Sequence, residues 1–201
     1  MAPHREGEAG GEEAFDYVVL AAPPDGWPAI DSPFEWDPSQ YTMSHGPAVK
    51  FLNAFETPFW LDQGLAPSAL WDMLGSVWES TDKQPTDQLG FGLSVYSGGP
   101  YVLDEANYPD LLSQIFPGST PTDTRFVDWP NTPWIWTGYS VPSPSQVCTV
   151  GQSLHSPYAD RLHFAGEQSH VPFFGYMEGA LQSGAKAARD IVAVVCPEAL
   201  A

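Results

Sequence analysis

A mixed α/β fold (α+β in the order of its elements) is predicted by three segments of the chain. Residues 15–24 (FDYVVLAAPP) are an apolar run of strand length, closed by Pro23 and Pro24 and followed by Asp25-Gly26. Residues 47–60 (PAVKFLNAFETPFW) alternate with a period of two: Val49, Phe51, Asn53 and Phe55 share one face, and Lys50, Leu52 and Ala54 the other. Residues 176–195 repeat apolar side chains at three- and four-residue spacing (Met177, Ala180, Leu181, Gly184, Ala188, Ile191, Val192, Val195), which predicts a long helix stopped by Pro197.

The remaining elements are shorter. Residues 67–79 (PSALWDMLGSVWE) place Pro67 where helices start, while Gly75 and the tryptophans leave helix and strand both open. Residues 89–96 (LGFGLSVY) read as a strand, ended by a tight turn at Ser97-Gly98-Gly99-Pro100. A short helix is expected over 107–116, and a short strand over 160–166 that ends at Gly166. The Pro-, Ser-, Thr- and Trp-dense stretch 117–147 reads as a structured loop region of the kind that lines a site.

Composition narrows the function classes. The 201 residues are 43% hydrophobic and 16% charged, enough for one sizeable core or two small lobes. Seven Lys and Arg stand against 25 Asp and Glu, and the net charge of −18 repels nucleic acid and anionic membrane surfaces. No apolar run reaches the roughly 18 residues of a membrane helix, and residues 1–14 lack the apolar core of a signal peptide, so a soluble chain is expected. Cys148 and Cys196 have no metal-ligand spacing, and one disulfide between them stays open. The histidines form no H-x-x-x-H pair and Gly151-Gln152-Ser153-Leu154 is not a G-x-S-x-G elbow, so neither a metal site nor a Ser-His hydrolase is expected.

One unit carries more specific chemistry. The strand ending in Ala165-Gly166-Glu167, a loop through Gly175 and a helix starting near Tyr176 aim a helix N-terminus at whatever binds there, which favours an anion or an electron-rich ring. The stretch DRLHFAGEQSHVPFFGYMEGALQSGAKAARDI resembles the C-terminal FAD-contact motif of the flavin amine oxidase family, which includes the monoamine oxidases and L-amino-acid oxidases. DYVVLAAPP, GPAVKFLNAFETPFW and WPNTPWIWTGYS resemble further family segments in the same order. The likeness covers most of residues 15–195 and is weakest over 61–125.

The resemblance implies a substrate-binding domain with a mixed sheet over 25–157. Residues 15–24 and 158–196 are then parts of a Rossmann-like FAD-binding domain, with 1–14 and 197–201 as flexible termini. It implies oxidation of the C–N bond of an amine or amino acid to an imine, with oxygen reduced to hydrogen peroxide and FAD as cofactor. Lys50, ten residues before Trp60, matches the family lysine that holds a water at flavin N5; on the strand pattern alone it is an edge lysine with its head in water. Tyr139 and Tyr176 match the two tyrosines that flank the substrate nitrogen, and Trp129 the tryptophan beside the flavin. Gly166 and Glu167 are expected at the ribityl-diphosphate, and the backbone of Met177 at the pyrimidine carbonyl. Glu178 reads equally as a contact or as a first-turn acid that favours any helix start.

Two departures qualify the likeness. Gly138 stands where monoamine oxidases carry the cysteine bonded to FAD, so FAD is expected to be non-covalent. No G-x-G-x-x-G follows a strand anywhere in the chain, so the N-terminal dinucleotide-binding βαβ unit is expected on a further segment or subunit. The alternative is a non-catalytic subunit or inactive fragment that needs a separate FAD-binding chain to form an active site.

Overall fold

The computed structural model describes residues 13–32, 35–72, 74–85, 90–98 and 104–200. Nine strands are described: β1 (Val18–Leu20), β2 (His45–Gly46), β3 (Ala48–Phe55), β4 (Ala69–Trp71), β5 (Gly75–Glu79), β6 (Phe91–Gly98), β7 (Asp123–Asp128), β8 (Tyr139–Ser140) and β9 (Leu162–Phe164). The helices are α1 (Phe59–Asp62), α2 (Tyr108–Ile115), α3 (Val150–Ser153) and α4 (Met177–Val195).

A five-stranded sheet in the order β4-β5-β6-β3-β7 carries the larger core. All its pairings are antiparallel, so the sheet is not the mixed one expected. Parallel neighbours need a long crossover between them, and the described parallel pairing is confined to β1 and β9. β3 lies between β6 and β7, which also removes the edge-strand reading of Lys50. Residues 67–79, open between helix and strand, form the hairpin β4–β5: Gly75 has φ +85° at the turn, and an added Cβ would meet Tyr96 O at 2.2 Å.

The period-two pattern of 48–55 survives as burial. Val49, Phe51, Asn53 and Phe55 face a core closed by Trp60, Val77, Leu93, Val95 and the α2 residues Tyr108 and Leu112. Asn53 is the one polar side chain of β3 on that face, and it is satisfied: its amide donates to Leu93 O (3.0 Å) and accepts from Thr124 Oγ1 (3.1 Å). Tyr108 stacks on Phe51 with ring centroids 3.8 Å apart, yet among the described residues its buried hydroxyl makes no hydrogen bond of good geometry. Burial pushes this phenol well above the usual tyrosine range, and Asn53 offsets the effect only in part.

Because the folded-state pKa of Tyr108 is raised, its contribution to stability is whole below the ordinary phenol pKa of 10.0 and is lost as pH climbs toward the folded value. Tyr108→Phe should therefore stabilise the fold by about 1 kcal/mol, because it removes a buried hydroxyl that lacks a good hydrogen bond and keeps the ring. It should also weaken the alkaline loss of stability in urea melts from pH 8 to 11. A lower melting midpoint at neutral pH would refute this.

The two ends of the chain meet in the parallel pair, with Val18–Leu20 alongside Leu162–Phe164. Their small second core gathers Trp27, Met43, Leu154, Leu162 and Phe164. α4 packs on this unit through Gly179, Ser183 and Ala187, a ridge of small residues at four-residue spacing. A Cβ at Gly179 would stand 2.2 Å from Phe173 O, and Ser183 Oγ both accepts from Gly166 N (3.0 Å) and donates to Gly166 O (2.8 Å). The apolar stripe that predicted the helix therefore points away from the described core: Met177 is 85% exposed and Leu181 71%. Pro197–Leu200 form a 3-10 turn, while residues 1–12 and 201 lie outside the described residues, as do Gly99 and Pro100 of the expected turn. Among the described residues no helix is long and apolar enough to cross a membrane, and Cys148 and Cys196 are free thiols.

Candidate active site

Cross-strand register builds one face of the large sheet into a cavity wall. Lys50 on β3 pairs with Tyr96 on β6 and Val127 on β7, and Tyr96 pairs with Ser76 on β5. Directly opposed residues share a face, as do residues two apart on one strand, so Trp78 joins Lys50 and Tyr96 on the face opposite the core, and Trp129 reaches Lys50 from just past the end of β7. The Lys50 amine lies 5.3 Å from the ring centroid of Trp78 and 5.8 Å from that of Trp129, within cation–π range of both.

These side chains, with Tyr139, line an open hollow of about 610 Å³. Lys50 is the one charged side chain among its described lining residues. A second hollow of about 600 Å³ shares Tyr96 and Tyr139 with the first and extends to Val141, Phe174 and Tyr176. Thus Lys50, Trp129 and Tyr139 come together on one cavity, and Tyr139 and Tyr176 on its neighbour. The structure adds Trp78 and Tyr96, which the sequence reading did not single out.

Tyr139 is carried by β8, which pairs only with the two-residue β2. The approach is close because residue 138 has no side chain: an added Cβ would lie 2.5 Å from Ala48 Cβ and 2.6 Å from Gly46 O. His45 anchors β2 from below, its Nδ1 lying 2.9 Å from Asp25 Oδ2 with the imidazole almost fully buried.

The loop before α4 is tied to β8 by Glu167. Its Oε1 accepts from Ser140 N and Ser140 Oγ, both at 2.9 Å, and its Oε2 accepts from Gly175 N in a short hydrogen bond. The carboxylate is thus committed to three donors within the chain, and the Glu167 carbonyl accepts from His170 N (3.2 Å). Glu167→Gln should lower stability by about 1–2 kcal/mol, since one carboxylate oxygen becomes an NH₂ that opposes a donor. The loss should be accompanied by faster amide exchange at Ser140 and Gly175, and unchanged exchange there would refute the clamp.

Gly166 has φ +118°, a left-handed conformation that favours glycine, and a Cβ there would collide with the Gln168 side chain at 2.4 Å. Tyr176 is the N-cap residue of α4 and is 68% exposed, with Met177 and Glu178 in the first turn beyond it. Glu178 accepts a hydrogen bond from Gln182 Nε2 one turn on, the exposed i,i+4 pairing of a helix surface.

A lysine amine among aromatic rings, an adjoining tyrosine hollow, and a helix N-terminus beside a parallel strand pair are what these elements bring together. The family of flavin-containing amine oxidoreductases matches residues 5–192, and the chain belongs to it. It is 29% identical over 161 residues to an L-amino acid dehydrogenase of Synechocystis, a match covering 75% of this chain and 34% of that protein. It is 24% identical to a probable flavin-containing monoamine oxidase A of Dictyostelium discoideum, covering 87% of this chain and 41% of the relative. Cyclohexylamine oxidase from Brevibacterium oxydans shares the fold, with a TM-score of 0.71, 22% identity, and coverage of 87% of this chain and 42% of that one. The chain therefore spans well under half the length of these relatives.

Proposed function

We propose that the chain forms the substrate side and one wall of the flavin site of an FAD-dependent amine oxidase. The observation that carries this reading is the Lys50 amine held between Trp78 and Trp129 on a cavity wall that continues into Tyr139. The residues present fit a flat, electron-accepting ring. The walls are indole and phenol faces, Lys50 offers a positive donor, and the buried Thr137 Oγ1 in the same lining has no partner among the described residues.

In this reading Lys50 holds a water or moves a proton beside the ring's reactive nitrogen, with Trp129 alongside. Tyr139 and Tyr176 present π-faces to the substrate nitrogen and exclude water from it. Gly166, the backbone of Glu167 and the backbone of Met177 meet the cofactor near the N-terminus of α4, whose positive end stabilises negative charge there. Glu178 adds to helix-start stability more than to the cofactor. The bound flavin would supply the acceptor for one hydride equivalent, two electrons and a proton, from the substrate α-carbon. The net reaction is R₂CH–NH₂ + O₂ + H₂O → R₂C=O + NH₃ + H₂O₂, by way of the imine.

A dinucleotide-binding segment beyond the described elements completes the site. Its docking face is the outward apolar stripe of α4 together with β1, where Val18, Val19, Met177, Leu181 and Val195 are all exposed. Residues 15–24 and 158–196 then belong to the FAD-binding domain and 25–157 to the substrate domain, and Gly138 keeps the cofactor non-covalent. Among the described lining residues of the two hollows there is no arginine and no carboxylate side chain, which favours a simple amine. Arg161 is engaged with Asp16 O (3.2 Å). The name of the Synechocystis relative favours an amino acid instead, and assays on both substrate types separate the two.

The test is to purify the chain alone and together with a dinucleotide-binding segment supplied as a second chain, and to record visible flavin absorbance and amine-dependent peroxide formation. Flavin retained only by the pair, with peroxide formed, is expected. Stoichiometric FAD on the chain alone would overturn the need for the second segment, and no flavin on either would overturn the oxidase reading.

A further inference from the structure

The hollow around Lys50 and the hollow around Tyr176 meet at a single hydrogen bond. The Tyr96 hydroxyl donates to Tyr139 Oη at 2.8 Å, with ring centroids 6.3 Å apart and ring planes at 42°. The partners differ in how firmly they are held. Tyr96 sits on β6 with a ladder on each side, opposite Lys50 on one and Ser76 on the other. Its hydroxyl lies over Gly98, where an added Cβ would stand 2.4 Å from it, so glycine at that position leaves room for the phenol tip.

Tyr139 has less support. It lies on a two-residue strand opposite Gly46, and a Cβ built on Gly46 or Gly175 would lie 4.0 or 3.6 Å from its ring atoms, so both neighbours offer only backbone there. The ring therefore borrows its orientation from the larger sheet through the hydroxyl. Burial raises the Tyr96 phenol above its ordinary range and the bond to Tyr139 raises it further, which keeps the donor protonated at neutral and mildly alkaline pH. Because the Tyr139 oxygen accepts this bond, its own O–H stays available to a ligand and is polarised toward donation.

We propose that Tyr96 is a positioning residue for the amine site: its hydroxyl fixes the Tyr139 ring and forms with it a bar that separates the Lys50 hollow from the Tyr176 hollow. The proposal rests on the amine oxidase reading, and its test has one arm that needs no flavin. In a Tyr108→Phe background, alkaline titration of tyrosine absorbance follows the late-ionising Tyr96. Tyr139→Phe should move that ionisation to lower pH, and Tyr96→Phe should remove it.

In the assembled, flavin-loaded enzyme with benzylamine as probe, Tyr96→Phe should raise KM about tenfold and lower kcat by much less. Tyr139→Phe removes the same bond together with the Tyr139 donor, so it should be at least as severe, and the double variant should be no worse than Tyr139→Phe alone. An ionisation unmoved by Tyr139→Phe, or KM effects that multiply in the double variant, would overturn the positioning role. If the wild type oxidises no amine, the role falls with the reading beneath it, and the titration separately establishes whether the bridge exists.

Discussion

Lys50→Met should leave flavin in place while slowing amine-driven flavin reduction, or the oxygen reaction that follows, by about a hundredfold. The substitution is chosen for what it keeps. Methionine preserves the unbranched stem that runs between Trp78 and Trp129, so the aromatic packing on both sides of the position survives. β3 lies inside the sheet and its ladders to β6 and β7 are formed by backbone, so the fold does not depend on the amine. What disappears is a positive donor that can hold a water or pass a proton, an effect on rate more than on binding.

Stopped-flow absorbance should separate the two half-reactions. Anaerobic mixing with amine reports reduction, and mixing the reduced enzyme with oxygen reports the return. If both rates matched the wild type, Lys50 would have no part in the chemistry and the double cation–π contact would be structural. A flavin lost from the variant would instead make the lysine a binding residue.

How far the site was legible in the sequence follows from what each residue's position depends on. Alternation over 48–55 is a local property, and it put Lys50 on the face opposite Val49, Phe51, Asn53 and Phe55, but its place in a site was implied by the family resemblance, since the strand pattern alone read it as an edge lysine. Trp78 and Tyr96 could not be placed. Each reaches the cavity through cross-strand register, which pairs Lys50 with Tyr96 and Tyr96 with Ser76, and register is a relation between segments that no single segment displays. Their region also resembles the family least.

The hairpin at 69–79 stayed ambiguous for a physical reason: its strands have three and five residues, too few to separate a period of 2 from 3.6. α4 shows the opposite limit. Its period fixed the helix, but the apolar stripe turned out to face outward while Gly179, Ser183 and Ala187 make the described contact. Periodicity reports that a face is to be covered and does not say by what. Glu167 is a further case, since its bonds to Ser140 and Gly175 join residues 27 and 8 positions away that carry no mutual signature.

Gly138 has no room for a side chain. Its N–H donates to Gly46 O at 3.0 Å, holding the start of β8 against β2, and the space that a Cβ would take is already filled by Ala48 Cβ at 2.5 Å, Gly46 O at 2.6 Å and Ala48 N at 2.9 Å. Two of those three atoms are backbone, and the third is fixed directly to backbone on β3, so no rotamer change can open the site. Even Gly138→Ala should force β8 outward and destabilise the fold by about 3 kcal/mol, at the upper end for overpacking.

Gly138→Cys tests the same contact against a chemical outcome. The thiol sits beyond a Cβ that already collides, so the variant should unfold at lower urea concentration than the alanine variant, and acid precipitation of the assembled protein should leave all its flavin in the supernatant. The displaced strand carries Tyr139, and the amine KM of the alanine variant should rise along with the loss of stability. A cysteine variant that melted like the wild type and kept its flavin through denaturation would show that β8 can yield, and that non-covalent binding is a matter of residue identity alone.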